Sequence, residues 1–151
     1  MAENPEPQLW QTVDPVEFSP NVSDNTQAQS LLISARQGAG FEIAAGQVSH
    51  AIQSRAVQLL LDFTAAGCVV RYMIDGQWEQ LPPLDRESGD AMLYAMKQLC
   101  LLNPADRRSA QSGAVKVKLK KEKFELKLQS QGVPSGERVL VKLESNQVPL
   151  A

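Results

Sequence analysis

Residues 107–143 read RRSAQSGAVKVKLKKEKFELKLQSQGVPSGERVLVKL, and the alternation inside that stretch decides the fold. Val115, Val117 and Leu119 alternate with Lys116, Lys118 and Lys120. Phe124, Leu126 and Leu128 alternate with Glu125, Lys127 and Gln129, and Val139, Val141 and Leu143 alternate with Leu140 and Lys142. Successive side chains on a strand point to opposite faces, so the stretch predicts three strands of a sheet with one apolar and one lysine-rich face. A charged hairpin joins the first two strands, and Pro134-Ser135-Gly136 turns the chain into the third.

Upstream, a helix precedes this unit. Met92, Ala95, Met96, Leu99 and Leu102 recur at helical spacing, Asp85 or Ser88 can cap the start, and Asn103-Pro104 marks the end. Before the helix come three more extended runs, 57–63 (VQLLLDF), 68–74 (CVVRYMI) and 77–81 (QWEQL), the last two joined by the Asp75-Gly76 turn. Ile43, Ala44, Val48, Ala51 and Ile52 predict a helix over 43–56 that carries His50, read as a surface or hydrogen-bonded histidine. The order helix, three strands, helix, three strands predicts an α+β domain: an antiparallel sheet of about six strands with two main helices on its apolar face, PAS-like in order.

Composition sets the boundaries. The chain has 151 residues, 43% of them hydrophobic, which suffices for one domain with a core. Residues 1–25 hold four of the nine prolines among acidic and polar residues and are expected to be a disordered tail, with Trp10 and Phe18 loosely packed or kept for a partner. Residues 26–42 are expected to form a short helix and Gly-rich connector, 43–144 the domain, and 145–151 a linker. The net charge of -2 hides an asymmetry. Residues 1–35 carry five carboxylates and no Lys or Arg, whereas 115–128 carry six lysines against Glu122 and Glu125.

Several chemistries lack their residues. The sequence has no GxxxxGK[ST], GxGxxG or GxSxG, and one His with Cys68 and Cys100 makes a poor metal set. No apolar run approaches the roughly 20 residues that a spanning helix needs. The lysine face has no interleaved aromatics on which bases could stack, so no nucleic-acid partner is expected. The expected chain is cytoplasmic and non-catalytic, with no catalytic and no metal-ligating residues.

Five segments in register resemble the N-terminal, PAS-like domain of the type II secretion and type IV pilus motor ATPases. That family's motifs RASDIHIEP, VRYRIDG, RRLPQDGR, DLRVS and HGERVVLRLL fall on residues 55–62, 70–76, 107–114, 125–130 and 136–143, so the resemblance covers about residues 43–143. It implies a domain that packs on the RecA-like core of a neighbouring subunit in a hexamer and lends arginines to the nucleotide phosphates. The implied partners are that core and the inner-membrane secretion or pilus machinery. ATP and magnesium would belong to the full-length protein, with no cofactor in this chain.

The sequence departs from the family at Ala114, where RRLPQDGR ends in Arg, at Lys127, where DLRVS has Arg, and at Met73, the second Arg of RYRIDG. A lysine keeps the charge but loses the bidentate fork. The candidate nucleotide or inter-subunit contacts are therefore Arg71, Arg107, Arg108, Lys127 and Arg138. Ion pairing of Arg138 with Glu137, and of Arg108 with Asp106, is the structural alternative for those arginines. The resemblance implies an N-terminal piece of a longer motor ATPase; the alternative is a stand-alone adaptor or regulatory module on the same fold.

Overall fold

The computed structural model describes residues 8–145. A 3-10 turn (Leu9–Gln11) leads into β1 (Glu17–Pro20), α1 (Asn25–Arg36) and α2 (Gly40–Gln53). Then follow β2 (Gln58–Thr64), β3 (Gly67–Ile74), β4 (Gln77–Gln80), α3 (Arg86–Leu99), β5 (Gln111–Leu119), β6 (Glu122–Val133) and β7 (Gly136–Ser145). The seven strands form one antiparallel sheet in the order β1-β5-β6-β7-β2-β3-β4. The expected α+β class holds, with a seventh strand added at one edge.

Alternation builds the two faces. Leu59, Leu61 and Phe63 of β2, Val70 and Tyr72 of β3, Val115 and Val117 of β5, Leu126 and Leu128 of β6, and Val139 and Val141 of β7 are all buried on one side. There they meet Val48 and Ala51 of α2 and Met92, Leu93, Met96 and Leu99 of α3. The other side presents Gln58, Arg71, Lys127, Gln129, Arg138 and Lys142, and among the described residues no helix covers it. At roughly 25 cal/mol per Å² of apolar area, the covered face holds the fold together.

Both main helices close in the same way. The amides of Leu101 and Leu102 bond back to the carbonyls of Gln98 and Lys97 at 3.1 and 2.8 Å, and those of Arg55 and Ala56 to Ile52 and Ala51 at 3.0 and 2.9 Å. These are Schellman closures with a non-glycine residue in the left-handed position, φ 64° at Leu101 and 68° at Arg55. They end α2 and α3 about three residues before the sequence-based boundaries at 56 and 102. The expected Asp85 cap is in place, its carboxylate accepting from the Ser88 amide at 3.3 Å.

The expectation of a disordered tail over 1–25 needs correction within 8–25; residues 1–7 lie outside the described ones. Phe18 and Val16 are buried, β1 pairs with the edge of β5 through Phe18↔Val117 and Glu17↔Lys118, and Phe18 meets Phe41 edge to face at 5.7 Å. The Val16 amide donates to the Ala45 carbonyl at 3.2 Å, Ser49 donates to the Asp14 carbonyl, and Trp10 rests against α2 where Gly46 has no Cβ to obstruct it. Average composition hid a four-residue strand with two inward apolar side chains. Pro20 is tolerable there because β1 is an edge strand. The expected linker over 145–151 lies outside the described residues apart from Ser145, which ends β7.

Candidate functional site

The candidate residues fall into three groups, and no single point gathers all five. On the open face, Arg138 of β7 and Arg71 of β3 flank Asp62 of β2, which accepts from Arg138 Nε at 2.8 Å and from Arg71 Nη1 at 3.0 Å. Pairing across β7 and β2 places Arg138 directly opposite Asp62, so the strands bring this trio together. The expected Arg138–Glu137 ion pair is not formed. Consecutive strand residues face opposite ways, and Glu137 points to the helix side instead.

Lys127 of β6 lies further along the same open face. It is directly opposite Ala114 on β5 and Lys142 on β7, and its Nζ reaches Glu144 at 3.0 Å. The carboxylate of Glu144 raises the Lys127 pKa through that hydrogen bond and its charge. Lys127 and Lys142 are like charges in facing positions, an arrangement that costs stability unless a counter-charge answers it. Between this row and the Arg138 trio, Ser112, Gln129, Gln131, Arg138 and Leu140 border a shallow cleft of about 500 Å³.

Arg107 belongs to the helix side. Its Nε donates to Glu137 Oε1 and its Nη1 to Asp90 Oδ1, both at 2.7 Å, and the guanidinium lies 5.3 Å over the Phe63 ring. Burial alone would lower its pKa, but the bonds and charges of Glu137 and Asp90 outweigh that and raise it. Behind Arg107, the ammonium of Lys97 is fully buried (0% exposed) and donates to Glu137 Oε2 at 2.6 Å and to the Asp106 carbonyl at 2.7 Å. Lys97 is not legible as a core residue from the sequence, because a lysine interrupts the apolar stripe of α3. The signal was a lysine four residues after Leu93, on the buried side of that helix.

The expected ion pair of Asp106 with the Arg108 side chain is also absent. Asp106 Oδ1 accepts instead from the backbone amides of Arg108 and Ser109, both at 3.0 Å, and these bonds hold its carboxyl down at about 2. The exposed Arg108 guanidinium has no carboxylate partner among the described residues. His50 is half-buried and bonded through Nδ1 to the Tyr72 hydroxyl at 2.9 Å, which also accepts from Gln47, in keeping with a hydrogen-bonded histidine. Burial pushes the Cys68 and Cys100 thiols up to about 12, leaving them unreactive.

Among the described residues no group of three or more His, Cys, Asp or Glu is placed to hold a metal, and no helix is long and apolar enough to cross a membrane. No protein-family model matches the chain, and no curated protein matches it. What the open face can do is chemical recognition. It offers guanidinium, ammonium, amide and hydroxyl groups along adjacent strands.

Proposed function

We propose that this chain is the non-catalytic N-terminal interaction domain of a secretion- or pilus-type motor ATPase, packing on a neighbouring RecA-like core in a hexamer through its open sheet face. The observation that carries the reading is the facing of Ala114 and Lys127 across β5 and β6. The resembling family has arginine at both positions. Restored here, the two guanidiniums would stand side by side on a face that no helix covers, the arrangement needed to grip phosphate from across an interface. In this chain that grip is reduced to one ammonium, so the scaffold role outweighs nucleotide contact. ATP and magnesium belong to the core, hydrolysis is not expected of this chain, and the assembly is cytoplasmic, held at the inner membrane by partners.

The test is a reconstitution. The reading frame that encodes these residues should continue into a GxxxxGK[ST] core, and Ala114→Arg with Lys127→Arg should tighten nucleotide-dependent hexamer assembly, measured with a non-hydrolysable ATP analogue. A frame without a phosphate-cradling loop would favour the stand-alone adaptor instead. Assembly indifferent to both substitutions would remove the nucleotide from the interface and leave the packing role alone.

A further inference from the structure

The strand β4 ends the sheet, and among the described residues no strand pairs with its outer side. We propose that this edge pairs with β4 of a second copy of the chain, antiparallel and with Trp78 opposite Trp78, to form a weak dimer. The contact uses the edge of the sheet and none of the candidate arginines or Lys127, so it stands apart from the clamp reading.

The backbone supplies the template. The Leu81 amide donates to the Val70 carbonyl at 2.9 Å, while the Met73 carbonyl accepts from Val57 at 3.0 Å, on the side away from β4. Bonded and non-bonded pairs alternate along an antiparallel ladder. Tyr72↔Glu79 and Ile74↔Gln77 are therefore the bonded pairs, and Trp78 and Gln80 turn their amides and carbonyls outward. Such a row of unpaired groups accepts another strand unless Pro, Lys or a bulge blocks it. The far edge has Pro20 in β1, whereas β4 reads Gln-Trp-Glu-Gln and holds neither Pro nor Lys.

The side chains select the occupant. Trp78 is 42% exposed and stands opposite Met73, on the open face. When two identical edges pair about a twofold axis normal to the sheet, facing residues share a face, so one residue faces itself. Centring on Glu79 would set like charges directly opposite each other, which destabilises. Centring on Gln80 would bring Trp78 against Pro82, which has no N–H to give. Centring on Gln77 would carry Gln80 past the Asp75-Gly76 turn, where no strand meets it.

Centring on Trp78 has none of these faults. Each Trp78 exchanges its outward amide and carbonyl with the second copy's Trp78. Gln77 falls opposite Glu79 twice by symmetry, an amide donor for each carboxylate. Met73 and Trp78 of both copies then form one apolar row across the interface, and facing aromatic pairs stabilise a sheet. A four-residue strand buries well under the ~1,200 Å² of a standard interface, so half-association is expected on the order of 10⁻⁴ M.

The experiment is sedimentation equilibrium of the whole chain from about 0.01 to 1 mM, a range that brackets this value. The average mass should rise from monomer towards dimer. Trp78→Lys and Gln80→Pro should each weaken association at least about tenfold, the scale of a central interface residue. Both positions are exposed, and proline at 80 removes only an outward N–H of an edge strand, so both variants keep the fold. Tyr94→Lys, at an exposed aromatic on α3, should leave the dimer unchanged. A chain that stays monomeric throughout would leave the edge to a strand of another protein and overturn the proposal. Dimers indifferent to Trp78→Lys and Gln80→Pro, or lost with Tyr94→Lys, would place the contact elsewhere and overturn it equally. A dimer tightened by Glu79→Gln would set Glu79 against itself and contradict the register.

Discussion

Lys97 stands behind Arg107 on the helix side and shares the Glu137 carboxylate with it. Its ammonium is wholly buried, with Glu137 and the Asp106 carbonyl as its neighbours. A buried pair is weak evidence of stabilisation when formed, yet removing one partner leaves an uncompensated charge in the core. Lys97→Met is therefore expected to cost about 3 kcal/mol, the low end of the usual range because Arg107 still answers Glu137. A urea midpoint equal to the parent's would show that water reaches Glu137. His50 makes a second residue-scale prediction. Burial lowers its pKa from the ordinary 6.5, so folding favours the neutral ring and stability is full above that value. As pH falls below 6.5 the unfolded chain takes up the proton first and stability declines. Replacing His50 with Gln should flatten that decline in urea midpoints measured across the range; an unchanged slope would assign it to other groups.

At the scale of the element, two turns test opposite sides of one rule about left-handed backbone. Asp75 and Gly76 both have positive φ, 51° and 80°, as a two-residue type I′ hairpin requires, and a Cβ on Gly76 would meet nothing within 4 Å. Gly76→Val should thus cost about 1–3 kcal/mol through backbone strain alone. Leu101 is left-handed without being glycine, and half of its surface is exposed, so Leu101→Gly should stabilise the chain by about 0.5–1 kcal/mol. Shifts of urea midpoint in the same direction for both variants would contradict this reading of the two turns. The same elements mark what the sequence disclosed. The Asp-Gly turn and the two-residue period of β5, β6 and β7 are local patterns, legible from neighbours in the chain. The helix ends were not, since Arg55 and Leu101 adopt a conformation that side chains usually avoid. Nor was β1, because a four-residue strand among prolines exists only through its partner β5 and the Phe18–Phe41 contact. The candidate site was legible by residue type but not by grouping. Arg71 and Arg138 share Asp62 only because distant strands β2, β3 and β7 lie side by side.

At the scale of the whole molecule, the sheet is covered on one side and open on the other. The covered side holds the core and the Lys97–Glu137–Arg107–Asp90 chain of charges; the open side holds Arg71, Arg138, Lys127 and the facing Ala114. The acidic N-terminal stretch meets the lysine strand through β1, where Glu17 faces Lys118, but Phe18 and Val16 anchor it by burial, so salt should leave that contact intact. The proposal that the open face packs on a neighbouring RecA-like core is tested most directly by lysine acetylation in the assembled full-length protein, read by mass spectrometry. Lys127 and Lys142, in the middle of the open face, should be protected on assembly, while Lys120 and Lys121 at the tip of the β5–β6 hairpin should react as they do in the isolated chain. Acetylation of Lys127 and Lys142 at equal rates in the assembled and isolated forms would contradict the account.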